Sequence, residues 1–374
     1  MMKVLHLISG GDTGGAKTHV ISLIKELNKL IDAKVICFIE DIFYYDALEA
    51  GIDIEVFKQK KRTDISVVKR LEEEIIRKDY DIIHCHGARA NFIAMFLKNK
   101  IKKPMITTIH SDYKLDFKDN FYKRIVYTTL NSIALKKFDY YIAISDTFKD
   151  MMESRGFEGD KIFTVYNGID LESEIEYVSK EEFLKRYNIS GEGKLIVGII
   201  ARLDAVKDHE TFIKGAYKVL QQRKDVIFLI AGTGSEEKRL KSLVKEMRIE
   251  DYIHFLGYVK DPYSFFNAID INVLTSISES FPYVILEGAR LKKTIISTNV
   301  GGINKLIKDG YNGWLIDVGD SNALAEKIIF FMENKEMIKT MGENLFKSVK
   351  ENFSSKNMAE EHYKIYKQIL ESRR

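Results

Sequence analysis

Two cysteines, Cys37 and Cys85, are all the thiols this sequence has, and both lie inside strand-like runs. That excludes a disulfide framework and points to a reducing compartment with buried, inert thiols. No uninterrupted apolar run approaches the roughly 18 residues that a membrane span needs. Lys3–Ile8 reads as a strand with no small-residue cleavage site before it, so the cytoplasm is the expected location. Prolines number three, Pro104, Pro262 and Pro282, so each has positional meaning. Charge of one sign is not in excess either. The 58 Lys and Arg face 55 Asp and Glu, which excludes the overall balance of a nucleic-acid-binding protein. Internal repeats and low-complexity tracts are missing.

What is present is a steady alternation of short β-branched runs with stretches of helical period, the pattern of parallel sheets built from βαβ units. The first half offers strands at Val4–Ile8, Lys34–Ile39, Asp53–Phe57, Asp81–Cys85, Met105–Ile109, Tyr140–Ile144 and Ile162–Val165. The second offers Leu195–Ile199, Val226–Ile230, Ile253–Leu256, Ile271–Leu274, Thr294–Ser297 and Gly313–Ile316. The chain of 374 residues is long enough for two such domains. The turn signal Asn167-Gly168-Ile169-Asp170, followed by an acidic stretch, marks the boundary between residues 1–168 and residues 169–355. A last amphipathic segment covers residues 356–374.

Ligands of doubly wound sheets gather at the carboxyl ends of strands, and polar residues cluster at those places here. After the first strand comes a glycine turn with Gly14 and Gly15, leading into a helix whose free N–H groups suit an anion. Gly11–Thr18 falls one residue short of a P-loop, because Ala16 stands where a glycine should precede Lys17. His84 and His86 share one face of a strand. With no Cys, Asp or Glu nearby to complete a coordination set, no metal site is expected there. The triplet Asp79-Tyr80-Asp81 opens its strand instead of closing it, which is the wrong edge for a metal-bound ligand. His110 follows a strand, placed to meet a reacting group or to take a core hydrogen bond.

In the second half, Arg202 and Lys207 leave a strand together, and two such cations stabilise a departing diphosphate more in the transition state than in the ground state. The loop around Gly232 and Gly234 and the loop carrying Tyr258 and Val259 look like walls for a flat base and a phosphate. Glu279, Ser280 and Phe281 precede Pro282, which suits the first turn of a helix holding Glu287. Carboxylates so spaced can grip the two hydroxyl-bearing ends of a nucleotide sugar, with the helix start facing the diphosphate between them.

At these residues the chain resembles the retaining glycosyltransferases of family 4, which have the GT-B architecture of two Rossmann-like domains facing across a cleft. The resemblance covers essentially the whole length. It rests on Arg202 with Lys207, on Glu279 and Glu287 spaced as E-x7-E, on Gly14-Gly15 with His19-Val20, on His110 and on the Asn167–Asp170 linker. It implies that Arg202 and Lys207 hold the diphosphate of a UDP- or GDP-sugar, Glu279 the sugar and Glu287 the ribose. His110 is implied to hydrogen-bond the sugar near the reacting centre. It further implies front-face retention with no essential metal and no cofactor, and a C-terminal helix that returns to the first domain. The acceptor is expected to be a glycan, a lipid-linked sugar or a small molecule, in cell-surface polysaccharide or glycoconjugate synthesis. The alternative classes are an epimerase or phosphorylase on the same fold and a non-catalytic sugar-nucleotide-binding protein. Release of nucleoside diphosphate separates the first from a transferase, and the intact set of Glu279, Arg202, Lys207 and His110 argues against the second.

Between Arg89 and Lys137, eleven cations face Asp112, Asp116 and Asp119. Lys114, Lys118, Lys123 and Arg124 are interleaved there with Tyr113, Phe117, Phe121, Tyr122 and Tyr127. A solvated helical face is one reading. Peripheral contact with an anionic inner membrane leaflet is the other.

Overall fold

The computed structural model describes the chain except residues 12–13, 62–63, 113–120 and 374 and the side chains of residues 121–127. Residues Met1–Asp170 with Phe353–Arg374 form one compact unit, and Leu171–Asn352 form a second. No helix among the described residues is long and apolar enough to cross a membrane.

In the first unit, β1 (Lys3–Ile8), β2 (Asp32–Cys37), β3 (Ile54–Val56), β4 (Ile82–His86), β5 (Met105–Ile109), β6 (Tyr140–Ala143) and β7 (Ile162–Thr164) form a parallel sheet. Its order is β3-β2-β1-β4-β5-β6-β7. Both faces are covered, so the strands are buried almost throughout and read as continuous apolar runs. Alternation sorts them. Leu5, Leu7, Ile83 and Cys85 pack in one layer, and Val4, Ile8, Ile82 and Ile106 pack in the other with helix Gly15–Leu27 and the C-terminal helix Ser355–Glu371. That last helix is tied in by backbone bonds from Ile169 to Phe353 and from Ser355 to Ile169, 3.0 and 2.9 Å. Gly168 is required beneath it, because a Cβ there would lie 2.4 Å from the Ser354 carbonyl oxygen.

The second unit has β8 (Leu195–Ile200), β9 (Val226–Ala231), β10 (Ile253–Gly257), β11 (Ile271–Leu274), β12 (Thr294–Thr298) and β13 (Trp314–Ile316), ordered β10-β9-β8-β11-β12-β13. Phe212, Phe228, Ile230 and Phe331 centre one core layer, and Ile196, Leu229, Phe265 and Ile269 the other. Burying each such side chain stabilises the fold by about 1.5–3 kcal/mol. In each sheet the strand order reverses beside its first strand, at β1/β4 and at β8/β11. Those switch points are where ligands of open α/β sheets bind.

Cys37 and Cys85 are buried, and neither is in a disulfide. Of the cations between Arg89 and Lys137, Lys98 pairs with Asp139, Lys100 with Glu72 and Lys103 with Asp79, so that part is a salt-bridged surface. The segment with Lys114 and Lys118, and the side chains of Lys123 and Arg124, lie outside the described residues.

Candidate functional site

The carboxyl edge of the second sheet is built from loops that hydrogen-bond to one another. Leu203 N–H donates to Thr233 O at 2.9 Å and Gly232 N–H to Gly257 O at 2.7 Å, joining the loops after β8, β9 and β10. Gly232 (φ 138°) and Gly234 allow this: a Cβ on either would lie 1.9 Å from Ala201 O or 2.2 Å from Leu203 O. On the other side, Ile277 N–H donates to Val206 O at 2.8 Å. Thr275 Oγ1 donates to the carbonyls of Lys207 and Asp208 at 3.1 and 2.9 Å. The Lys207 loop is thus clamped to the loop after β11.

That clamp sets Lys207 Nζ 2.5 Å from Glu279 Oε1. Ser276 Oγ donates to the same oxygen at 2.6 Å. The pair is largely buried, at 20% and 9% side-chain exposure, so removing either partner would strand a charge in a low-dielectric setting. Gly301, in the loop after β12, presses against this segment with φ 57°, where a Cβ would lie 1.8 Å from Glu279 O. Gly302 N–H donates to Ser280 O at 2.9 Å. Pro282 caps helix Tyr283–Arg290 instead of lying in its first turn, and Glu287 sits on that helix, where burial raises its carboxyl to about 7.

The sequence-predicted residues divide. Lys207, Glu279 and Ser280 stand together, whereas the Arg202 side chain is 79% exposed and its guanidinium lies 3.1 Å from the Asp204 carboxylate. The Phe281 ring is buried in the core, so only the backbone of that residue is available to a ligand. Tyr258 is 74% exposed, and Val259 packs against the apolar layer around Phe265. Ser276 enters the sequence reading only as the start of the run that leads to Glu279, and Gly301 does not enter it. The Gly301-Gly302 pair after a strand was the available signal for the second.

In the first unit, Gly14 has φ 64° and caps the helix that Gly15 begins. Lys17 pairs with Asp46 at 2.5 Å, so it is not a phosphate lysine of P-loop type. Asp79 and Asp81 belong to the opposite edge of the sheet, bound to Lys103 and to the Lys3 N–H. His84 and His86 are not isolated. His6 is their register neighbour on β1, His19 comes from helix Gly15–Leu27 and His362 from the C-terminal helix. With His110 they form a cluster of six imidazoles between sheet and helices. Two triplets, His6/His84/His86 and His19/His86/His110, bring ring nitrogens within 4.8 Å. As expected from the sequence, no Cys, Asp or Glu among the described residues joins these triplets; the additional members are histidines that only strand register and helix packing bring in.

Hydrogen bonds occupy this cluster. His84 lies 2.6 Å from Tyr366 OH and 2.8 Å from Thr108 Oγ1, and His19 Nδ1 lies 2.9 Å from Asn167 Oδ1. Burial, reinforced by neighbouring imidazoles, lowers His6 and His19 to about 3 and His362 to about 4. It holds His84, His86 and His110 well below the usual range, so every ring is neutral at pH 7.

Two open parallel sheets, with a buried lysine–glutamate pair at one switch point and a histidine at the carboxyl edge beside the other, define the class as a GT-B glycosyltransferase. The family described as Glycosyl transferases group 1 matches residues 180–348, and Glycosyltransferase Family 4 matches residues 13–173. The chain belongs to this glycosyltransferase family. It is 28% identical over 313 residues to the N-acetyl-alpha-D-glucosaminyl L-malate synthase of Bacillus anthracis, covering 82% of this chain and 80% of the relative. It is 24% identical over 289 residues to the Escherichia coli UDP-Gal:alpha-D-GlcNAc-diphosphoundecaprenol alpha-1,3-galactosyltransferase, covering 76% and 73%. Among solved structures, Anabaena HepE in complex with UDP-glucose superposes with a TM-score of 0.81 at 20% identity, covering the whole of both chains.

Proposed function

We propose that the protein is a retaining, metal-independent glycosyltransferase that transfers a sugar from a UDP- or GDP-sugar in glycoconjugate or polysaccharide synthesis. The observation that carries this reading is the buried Lys207–Glu279 pair at the β8/β11 switch point, with Glu287 on the helix that follows. Lys207 holds the diphosphate, joined by Arg202 once its exposed guanidinium leaves Asp204 for the stronger anion. Glu279 grips the sugar and Glu287 the ribose. The backbone around Gly232, Gly234, Tyr258 and Val259 lines the base and phosphates, with Ser280 and the Phe281 backbone beside the sugar. On the first unit, the family resemblance assigns the glycine turn Gly14-Gly15 to phosphate and His110 to the donor sugar. In the reaction the anomeric C–O bond to the diphosphate breaks and a bond to the acceptor oxygen forms on the same face. A diphosphate oxygen takes the acceptor proton. The cations at residues 202 and 207 supply the positive charge that a metal would supply elsewhere. The UDP-glucose complex of HepE supports a UDP-sugar donor. The named activities of the Escherichia coli and Bacillus anthracis relatives support a lipid-linked or small hydroxyl-bearing acceptor. An incubation with a panel of nucleotide sugars and acceptors tests it. Nucleoside diphosphate should be released with EDTA present, and the product anomer should match the donor. Inversion, or a loss in EDTA that manganese restores, would overturn it.

A further inference from the structure

Three rings of the first unit form a line. His6 Nδ1 lies 3.0 Å from His86 Nε2, and His86 Nδ1 lies 3.3 Å from His110 Nε2. His110 is partly exposed, while His6 and His86 are fully buried. Each neutral imidazole carries one N–H and one lone pair, so two hydrogen bonds along the line leave two proton arrangements.

In the first, His6 Nδ1–H donates to His86 Nε2, His86 Nδ1–H donates to His110 Nε2, and His110 carries its own proton on Nδ1. In the second, every bond reverses, and His110 presents a bare lone pair. The inner end decides between them. Among the described residues, His6 Nε2 is buried with no hydrogen-bond partner. The first arrangement leaves a lone pair at that atom and the second an orphaned N–H. A buried N–H without a partner is the rarer and costlier defect.

Two other rings of the cluster follow the same rule. His19 Nδ1 faces Asn167 Oδ1 and His362 Nδ1 faces the Met358 carbonyl at 2.8 Å. These oxygens fix the proton on Nδ1, and in both rings the buried atom with no partner among the described residues is again Nε2. We infer that His6 and His86 are positioning residues that lock His110 in the Nδ1–H tautomer, making it a hydrogen-bond donor to a ligand oxygen and not a proton acceptor. Moving a proton outward through His110 needs another to enter at His6 Nε2, where no group among the described residues is placed to supply one. The lock stands on the geometry of the cluster alone. That the ligand oxygen belongs to the donor sugar rests on the role proposed for His110.

The test is two-dimensional NMR of the full chain with 15N-labelled histidine rings, assigned by single replacements. His110 should show a protonated Nδ1 and a pyridine-type Nε2 from pH 6 to 8. Protonated Nε2, or a tautomer mixture, overturns the lock. So does one zinc per chain co-purifying on these nitrogens. Kinetics then tests the consequence. His86→Phe should lower kcat/KM about 10-fold, and His86→Gln, whose amide can still donate to His110 Nε2, should recover most of it. In a His110→Ala background His86→Phe should cost nothing more, and an equal further loss would make His86 merely structural. If His110→Ala leaves activity intact while the tautomer is as expected, the role of His110 fails and the lock stands.

Discussion

Glu287→Gln separates what the site needs from what the fold prefers. The carboxyl titrates near 4.5 in an unfolded chain and at about 7 in the fold, with burial as the cause. The native state therefore binds the proton more tightly. Stability linked to this group is fully present below about pH 4.5 and is lost as pH rises through about 7. At about 1.4 kcal/mol per tenfold change in proton affinity, the difference corresponds to about 3 kcal/mol, and solvent at the exposed edge of the side chain reduces it to about 2 kcal/mol. The substituted amide never ionises. Urea unfolding without ligand should find the variant equal to the natural protein at pH 4.5 to 5, ahead by about 2 kcal/mol at pH 8, and constant above that. With Glu287 in its proposed role, ribose hydroxyls would donate to the ionised form, so the donor should bind the natural protein more tightly above pH 7 than below it. The variant should lose that dependence and raise the donor KM with little change in kcat. A stability difference that is flat from pH 5 to 8.5 would refute the desolvation argument.

Lys207→Ala should lower kcat/KM on the order of 100-fold or more, because charge on the leaving diphosphate peaks in the transition state; steady-state kinetics reads it. Arg202→Ala should do the same while leaving Tm within about 2 °C, since the side chain is exposed. Gly301→Ala forces a Cβ into the Glu279 carbonyl at a left-handed backbone position. It should cost about 1–3 kcal/mol in urea unfolding and at least 10-fold in activity. If the cationic, aromatic stretch from Tyr113 to Tyr127 docks on anionic bilayers, changing Lys114, Lys118, Lys123 and Arg124 to Gln should abolish sedimentation with anionic vesicles at low salt. A natural protein that stays in the supernatant leaves only a solvated face.

The strands were legible because parallel strands covered on both faces are nearly uninterrupted apolar runs, as in Leu195–Ile200. The short ends were harder. Asp53 and Phe57 flank β3 without joining it. The loop with Glu279 announced itself through Pro282 and the spacing to Glu287, but its pairing with Lys207 spans 72 residues and depends on β8 and β11 being neighbours, which no local pattern encodes. Composition could not show that Arg202 turns toward Asp204 or that the Phe281 ring goes inward, since both follow from how the loops after β8 and β11 cross. The histidine cluster was hidden most completely. His84 and His86 were visible as a pair, yet His6 joins them only by parallel register, and His362 by a helix 276 residues beyond His86 in the numbering.

The central claim is that the loops after β8 and β11 of the second unit hold a nucleoside diphosphate. Amide hydrogen exchange, with and without the nucleoside diphosphate that most raises Tm in a thermal-shift panel, measures this directly. Protection should concentrate in residues 201–208, 232–235 and 276–287 and disappear in Lys207→Ala. Protection confined to other segments, or unchanged by that substitution, would contradict the account.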